Sequence, residues 1–361
     1  MKMIVTGGAG FIGSNFVRMA LKEGHQVVVL DLLTYAGHES TLREVKDLPS
    51  FSFIKGDVAD RALVRQLIGQ HLPDAIVHLA AETHVDRSID DPSGFLKTNI
   101  MGTFEMMEAC RHQASLPPGF RFLLVSTDEV YGALGQTGFF SETSPYAPNS
   151  PYAASKASAD LLARSFHETF RFPVIITNCS NNYGPRQFPE KLIPLMILNA
   201  LEGKELPVYG DGMQVRDWIH VDDHCAGILS ALKSGKPGSH YLFGSRSERA
   251  NLQVLETILR AIEEFRPASK NPALKAKGLS DYNSLRKFVK DRPGHDRRYA
   301  IDPSLAEKEL DWKITKSFEV AIRDTTQWYL DNLEWCRLVQ KDRYGRERLG
   351  LSLNPVEGEK K

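Results

Sequence analysis

The run Gly7-Gly8-Ala9-Gly10-Phe11-Ile12-Gly13 constrains this chain more than any other stretch. It follows the apolar segment 2–6 and opens a segment with helical spacing of apolar residues. The run satisfies GxGxxG through Gly8, Gly10 and Gly13, and GxxGxxG through Gly7, Gly10 and Gly13. Glycines let the backbone turn sharply from strand to helix and approach a diphosphate, whose charge then faces the helix N-terminus. Asp31 ends the next apolar run, 18 positions beyond Gly13. A carboxylate there accepts from ribose hydroxyls and repels a 2′-phosphate, which predicts NAD in preference to NADP.

The first half of the chain repeats this alternation. Strands are expected at 2–6, 26–31, 52–55, 75–79, 121–126 and 174–178, and helices at 13–23, 61–71, 93–112 and 152–170. Several of the strand segments are almost entirely apolar, as strands covered on both faces must be. The pattern predicts an α/β fold: a Rossmann-type, doubly wound parallel sheet. In the third helix Leu96, Ile100, Phe104 and Met107 form one stripe, an expected packing face. After Asn182 the chain becomes irregular, with Pro185, Pro189, Pro194 and Pro207, and a helix is expected near 191–202. Segment 216–232 reads as a strand and helix returning to the first domain, and an aromatic helix is expected near 317–333. The expected division is an NAD-binding domain at 1–182 with 216–246, and a smaller mixed α/β C-terminal substrate lobe at 183–215 and 247–350. Residues 351–361 are polar and read as a flexible tail.

Composition excludes several classes of function. With 45 basic and 45 acidic residues, the balance of charge gives no support for nucleic acid or an anionic membrane as partner. No apolar run approaches the ~20 residues of a membrane span. Met1-Lys2-Met3 runs straight into the first strand, with no room for a secretory leader. Cys110, Cys179, Cys225 and Cys336 are far apart and form no CxxC, so reduced thiols in a cytoplasmic protein are expected.

Two motifs carry chemistry. In Tyr152-Ala153-Ala154-Ser155-Lys156 the tyrosine and lysine fall one turn apart on a helix. A phenol with a free pKa of ~10 is a poor base at neutral pH, and a nearby cation favours its phenolate. That pairing suits removal of a hydroxyl proton while hydride leaves the carbon beneath. Thr127-Asp128-Glu129-Val130-Tyr131-Gly132 adds a second acid–base pair, Asp128 and Glu129, which a simple alcohol oxidation does not need. Together they point to oxidation coupled to elimination.

TGGAGFIGS (6–14), YAASK (152–156) and NNYGP (181–185) resemble the extended short-chain dehydrogenase/reductases acting on nucleotide sugars, over roughly residues 2–350. Within that group LTYAG (33–37), AAETHVDRS (80–88), TDEVYG (127–132), FPEKLIP (188–194), PVYGDG (207–212), RDW (216–218) and DRPGHDRRY (291–299) are similar to the 4,6-dehydratases of dTDP-glucose. The resemblance implies NAD contacts from Gly7, Gly10, Phe11, Ile12, Gly13, Asp31, Leu32, Thr34, Asp57 and Val58. It adds Leu79, Ala80, Ala81, Thr98, Tyr152, Lys156 and Asn182. For dTDP-glucose it implies Thr83, Thr127, Asn181, Lys191, Leu192, Pro207, Tyr209, Arg216, Asn251, Arg292 and His295. Arginine and lysine suit the diphosphate by charge and fork geometry.

The implied chemistry has a physical need at each step. Tyr152, supported by Lys156 and the Thr127 hydroxyl, takes the 4-OH proton as C4 gives hydride to NAD. The new ketone acidifies C5, Glu129 removes that proton, and a protonated Asp128 gives one to the departing 6-hydroxyl. Adjacent carboxyls in opposite states require environments that push their pKa values apart. Hydride then returns to C6, C5 is reprotonated, and the net change is loss of water. The resemblance also implies a homodimer through helices 93–112 and 152–170, and a short loop at 133–151 beside the cleft. It places the His84 segment on the nicotinamide side. It implies no metal at His220-Val221-Asp222-Asp223-His224, where Asp222 or Asp223 is expected to cap a helix. Two other readings stay open: an NAD-dependent nucleotide-sugar 4-epimerase or decarboxylase, and a non-catalytic NAD-binding scaffold.

Overall fold

The structure, a computed structural model, describes residues 1–291, 295–341 and 343–346. Its strands are β1 (Lys2–Thr6), β2 (Gln26–Asp31), β3 (Phe51–Lys55), β4 (Ala75–His78), β5 (Arg121–Thr127) and β6 (Val174–Cys179), followed by β7 (Asn181–Tyr183) and β8 (Leu206–Tyr209). Then come β9 (Val215–His220), β10 (His240–Phe243), β11 (Glu248–Ala250) and β12 (Arg286–Val289). Seven of these form one parallel sheet in the order β10-β6-β5-β4-β1-β2-β3. This is the doubly wound Rossmann-type sheet.

Side-chain alternation along β1 explains the two layers that cover it. Met3 and Val5 join a core with Phe16 and Ile228, from helices Phe11–Lys22 and Val221–Ser234. Ile4 points the other way, into a core with Ile68, Met106 and Ala163 from helices Arg61–His71, Thr103–Arg111 and Pro151–Phe170. Each fully buried side chain of this size contributes roughly 1.5–3 kcal/mol. A third core gathers Ile197, Leu206, Trp218, Ile258 and Ile322 around helices Leu192–Leu201, Asn251–Phe265 and Phe318–Asp331. Two small sheets flank it, β11-β9-β7 and β12-β8.

Four sequence expectations need correction or addition. The strand in 216–232 does not return to the large sheet: β9 pairs with β7 and β11, and only the following helix packs on the large sheet. The seventh strand, β10, was not expected. The stripe Leu96-Ile100-Phe104-Met107 is not one buried face, since Leu96 is 50% exposed while Met107 is fully buried. The helix widens to π geometry over Leu96–Gly102, and the wider turn resets the phase of every later residue. Finally, loop 133–150 is pinned to a neighbouring segment. Leu134 N–H donates to Arg298 O at 3.0 Å and Phe140 N–H to Ala300 O at 2.9 Å. The expected tail at 351–361 lies outside the described residues. Among the described residues no helix is long and apolar enough to cross a membrane.

Candidate active site

Strand order reverses between β1 and β4, and a crevice opens beyond their C-terminal ends, where such sheets take ligands. It holds a cavity of about 300 Å³. Gly7, at φ 68°, makes the turn out of β1, and a Cβ there would stand 2.7 Å from Ala80 N. Asp31 braces this corner: one oxygen accepts from Ala9 N–H at 2.9 Å, the other from Leu33 N–H at 2.8 Å. Burial pushes its carboxyl up, and those two donors oppose the shift. One lone pair on each oxygen remains for a ribose.

The cavity brings together all the residues expected to contact NAD. Gly10, Phe11, Ile12 and Gly13 line it with Leu32 and Thr34 from the loop after β2. Asp57 and Val58 follow β3, Leu79, Ala80 and Ala81 follow β4, and Thr98, Tyr152, Lys156 and Asn182 complete the wall. Asp57 also accepts from Lys97 Nζ at 2.8 Å. His84 lies further along, capping Val85–Asp90 and lining a second cavity instead. The glycine corner, the ribose-side carboxylate and the elongated lining fit a dinucleotide.

At the chemical end, Ser150 caps helix Pro151–Phe170 by accepting from Ala153 N–H at 3.1 Å, with proline in the first turn. That start turns buried Tyr152 and Lys156 toward β5. Thr127, at the end of β5, lies beside the Tyr152 hydroxyl and favours its phenolate. Its Oγ1 also accepts from Glu129 N–H at 3.3 Å. Burial, then the charge of Glu129, raises the Asp128 carboxyl well above the usual carboxylate range. Asp128 is therefore buried, in surroundings that favour its neutral form, beside Glu129, which lines both cavities. The Tyr152 phenol is likewise pushed up, by burial and then by Glu129.

Lys156 departs from expectation. Its Nζ donates to Val125 O at 2.8 Å, and the charge that most favours its ammonium is Asp160, against the cost of burial. The helix carries Lys156 past the phenol to the strand behind it. Of the groups that act on the Tyr152 phenol, Thr127 is the leading one that favours its phenolate.

The second cavity, about 800 Å³, adjoins the first at Thr83, Glu129, Asn181, Glu190 and Lys191. Leu192, Pro207, Tyr209, Arg216, Asn251 and His295 line it as expected for a substrate site, whereas Thr127 lines only the first cavity. Arg216 is buried, donates to Asp296 O at 2.9 Å and stacks over Tyr299 at 4.3 Å. His295 Nδ1 lies 2.6 Å from an Asp291 carboxylate oxygen. Lys191 Nζ donates to Thr83 O at 3.2 Å. Asn181 Oδ1 is buried without a hydrogen-bond partner among the described residues, an acceptor waiting for a ligand donor. Arg292 lies outside the described residues.

Sequence reasoning missed three groups here. Asn99 Oδ1 accepts from Glu82 N–H at 2.9 Å while its amide donates to Ser155 Oγ at 2.8 Å, tying the β4 loop to the YxxxK helix. Only the π-type widening turns it inward, and no sequence signal announces that. Asp160 sits four residues after Lys156, a spacing that could have flagged it. Glu190 lies 3.4 Å from Arg87 and 3.9 Å from His84, with Tyr35 beside it. The 220–224 segment also differs from expectation. His220, not an aspartate, caps Val221–Ser234, because its Nδ1 lies 3.3 Å from Asp222 N–H while Asp223 is taken by Thr315 Oγ1 at 2.6 Å. His224 bonds Asn182 Oδ1 at 2.9 Å.

A family model described as GDP-mannose 4,6 dehydratase matches residues 4–325. A dTDP-glucose 4,6-dehydratase of Xanthomonas campestris pv. campestris is 51% identical over 97% of this chain and 99% of that protein. The chain belongs to the dTDP-glucose 4,6-dehydratase family. A solved member of the 4,6-dehydratases, DesIV of Streptomyces venezuelae with NAD and TYD bound, is 43% identical, with a TM-score of 0.83 over 94% of this chain and 100% of that one. A UDP-glucuronic acid 4-epimerase of Bacillus cereus has the same architecture at lower identity, 29%, with a TM-score of 0.78 over 92% of this chain and 99% of that one. Fold therefore does not separate dehydratase from epimerase; the site residues must. As a 4,6-dehydratase the chain is a hydro-lyase.

Proposed function

We propose that this chain converts dTDP-glucose to dTDP-4-keto-6-deoxy-glucose with a retained NAD, in deoxysugar (rhamnose-type) biosynthesis. The observation that carries the reading is the buried Asp128, its carboxyl pushed up by burial and by adjacent Glu129, where the two cavities meet. An epimerase has no use for a proton donor at C6. NAD, when bound, accepts a hydride from the sugar and later returns it. Tyr152, with Thr127, takes the 4-hydroxyl proton; Glu129 takes the C5 proton; Asp128 protonates the departing 6-hydroxyl. Arg216, Lys191 and His295 hold the nucleotide end, joined by Arg292. The scaffold alternative is disfavoured by the assembled Tyr152–Thr127–Lys156 unit.

Residues 1–182 and 216–246 serve as the cofactor domain in this reading, and 183–215 with 247–350 as the substrate lobe. The chain acts as a homodimer in the cytoplasm. Its four cysteines are free and buried, which suits a reducing compartment. Leu96, Met101, Leu161 and Phe170 leave apolar surface exposed on the helices expected to pair, and an isologous C2 contact would cover it.

The test is mass spectrometry of products from dTDP-glucose, UDP-glucose and CDP-glucose incubated in parallel without added reductant. Loss of one water from the dTDP sugar, with C4 deuterium migrating to C6, is expected. Deuterium retained at C4 overturns the internal hydride transfer.

A further inference from the structure

Segment 343–346 lines the second cavity through Tyr344, Gly345 and Arg346 and reaches a loop that lines the first. Arg343 Nη1 donates to three carbonyls of one loop: Thr34 at 2.9 Å, Tyr35 at 3.3 Å and Gly37 at 2.6 Å. That loop leaves β2 at Asp31, and Leu32, Thr34 and Gly37 line the first cavity. It begins with Leu33 at φ 60°, a left-handed conformation that costs a non-glycine residue of order 1 kcal/mol and persists only where surroundings enforce it. Arg343 supplies part of that enforcement from outside. The residues after it are anchored on the opposite side of the cleft. The Tyr344 ring packs on Phe188 at 6.1 Å, and Arg346 donates to Asn199 Oδ1 at 3.1 Å, on helix Leu192–Leu201. Phe188 in turn meets Tyr35 edge-on at 5.9 Å.

We infer that Arg343 is a positioning residue that clamps the 32–37 loop over the cofactor and keeps it bound from one turnover to the next. The inference rests on the reading of the first cavity as an NAD site. An elimination that borrows a hydride and returns it needs no cofactor exchange, and loss of the reduced cofactor in mid-cycle would strand the sugar. A brace from the far lobe onto the ribose-side loop meets that need.

The test compares the full chain with Arg343→Ala and Arg343→Lys. Each protein is passed through gel filtration, the NAD(H) released on denaturation is quantified, and turnover of dTDP-glucose is measured with and without added NAD. Loss of the shared hydrogen bonds should speed NAD release about tenfold or more. The alanine variant should emerge depleted of cofactor, and added NAD should restore kcat to the parental value. Lysine, whose ammonium keeps the charge but not the reach of Nη1, should fall between. A merely structural role would lower kcat at saturating NAD as well, and that result overturns the inference. Parental retention in any folded variant also overturns it; the lysine variant serves if the alanine variant does not fold. If the parent neither carries nor responds to NAD, the reading of the cavity fails, and the clamp with it.

Discussion

Asp160 stands one helical turn beyond Lys156, and both side chains are buried behind the Tyr152 face of helix Pro151–Phe170. Its Oδ2 accepts from Ser126 Oγ at 2.8 Å, Asn178 Nδ2 at 3.2 Å and Tyr146 OH at 3.3 Å. Even so, burial outweighs those donors and the Lys156 charge, and the carboxyl is pushed up to about 6. Burial lowers Lys156 in the opposite sense, with Asp160 the leading charge that resists it. Each charge thus keeps the other ionised in a site where neither would be favoured alone. Such pairs add little net stability, because desolvation offsets their attraction. What the pair provides is a charged lysine in the wall of the first cavity, on the same helix as Tyr152.

The first prediction follows from the sign of that shift. A carboxyl at about 6 in the folded chain and ~3.9 unfolded binds its proton more tightly when folded. Its contribution to stability is full below ~4 and is lost as pH rises through 6, by up to ~3 kcal/mol. Asp160→Asn has no proton to lose. The urea midpoint of the variant, relative to the parent, should therefore be higher at pH 7.5 than at pH 4.5. An equal difference at both values would show that Asp160 does not titrate in this window.

These residues also mark how far the sequence could be read. The strands of 2–6, 26–31 and 121–126 were plain because β-branched runs buried on both faces leave no polar side to confuse the period. His240–Phe243 was not: it has four residues, at the sheet edge, behind a long helix and a Gly-Ser turn. Strands β7 and β11 have three residues each, too few to establish any period. The glycine corner and Asp31 were legible from the strand-to-helix turn and from ribose chemistry at the end of the next strand, whereas most of the cofactor wall was legible only through the family resemblance. Asn99 and Glu190 were not, since each acts only after a π-type turn or a distant loop brings partners to it.

Asp31 gives a second prediction. Its two oxygens each hold a backbone N–H, so Asp31→Ser removes a charge and at least one brace. Binding of NAD to cofactor-stripped protein, followed by calorimetry, should weaken about tenfold, the value of one charge-assisted hydrogen bond. NADP should weaken less or gain, because its 2′-phosphate no longer meets a carboxylate. An unchanged NAD/NADP ratio would mean that selectivity is set elsewhere.

A third prediction concerns assembly. Leu161 is 55% exposed and Leu96 50% exposed on the two helices proposed to pair. Leu161→Glu would bury an unpaired charge in a symmetric contact twice over, at a cost of several kcal/mol. Light scattering at micromolar concentration should give two chains for the parent and one for the variant. A dimeric variant would put the interface on another face.

The last prediction separates the two acid–base systems. Thr127 favours the Tyr152 phenolate, while Glu129 lines both cavities beside Asp128, whose carboxyl is held well above the usual range. Tyr152→Phe removes the group that takes the 4-hydroxyl proton, so neither NADH absorbance nor product should appear. Glu129→Gln leaves that unit in place but cannot take the C5 proton. It should show bound NADH absorbance with dTDP-glucose and little dehydrated product. It should also let the Asp128 carboxyl relax downward, since the Glu129 charge is the second cause of its elevation. Asp128→Asn keeps the shape of the donor but has no full proton to give, so its loss should fall between the other two. General acid–base groups contribute roughly 10²–10⁴-fold, which sets the scale of each defect. Near-normal dehydration in Glu129→Gln would remove the basis for assigning C5 proton removal to Glu129.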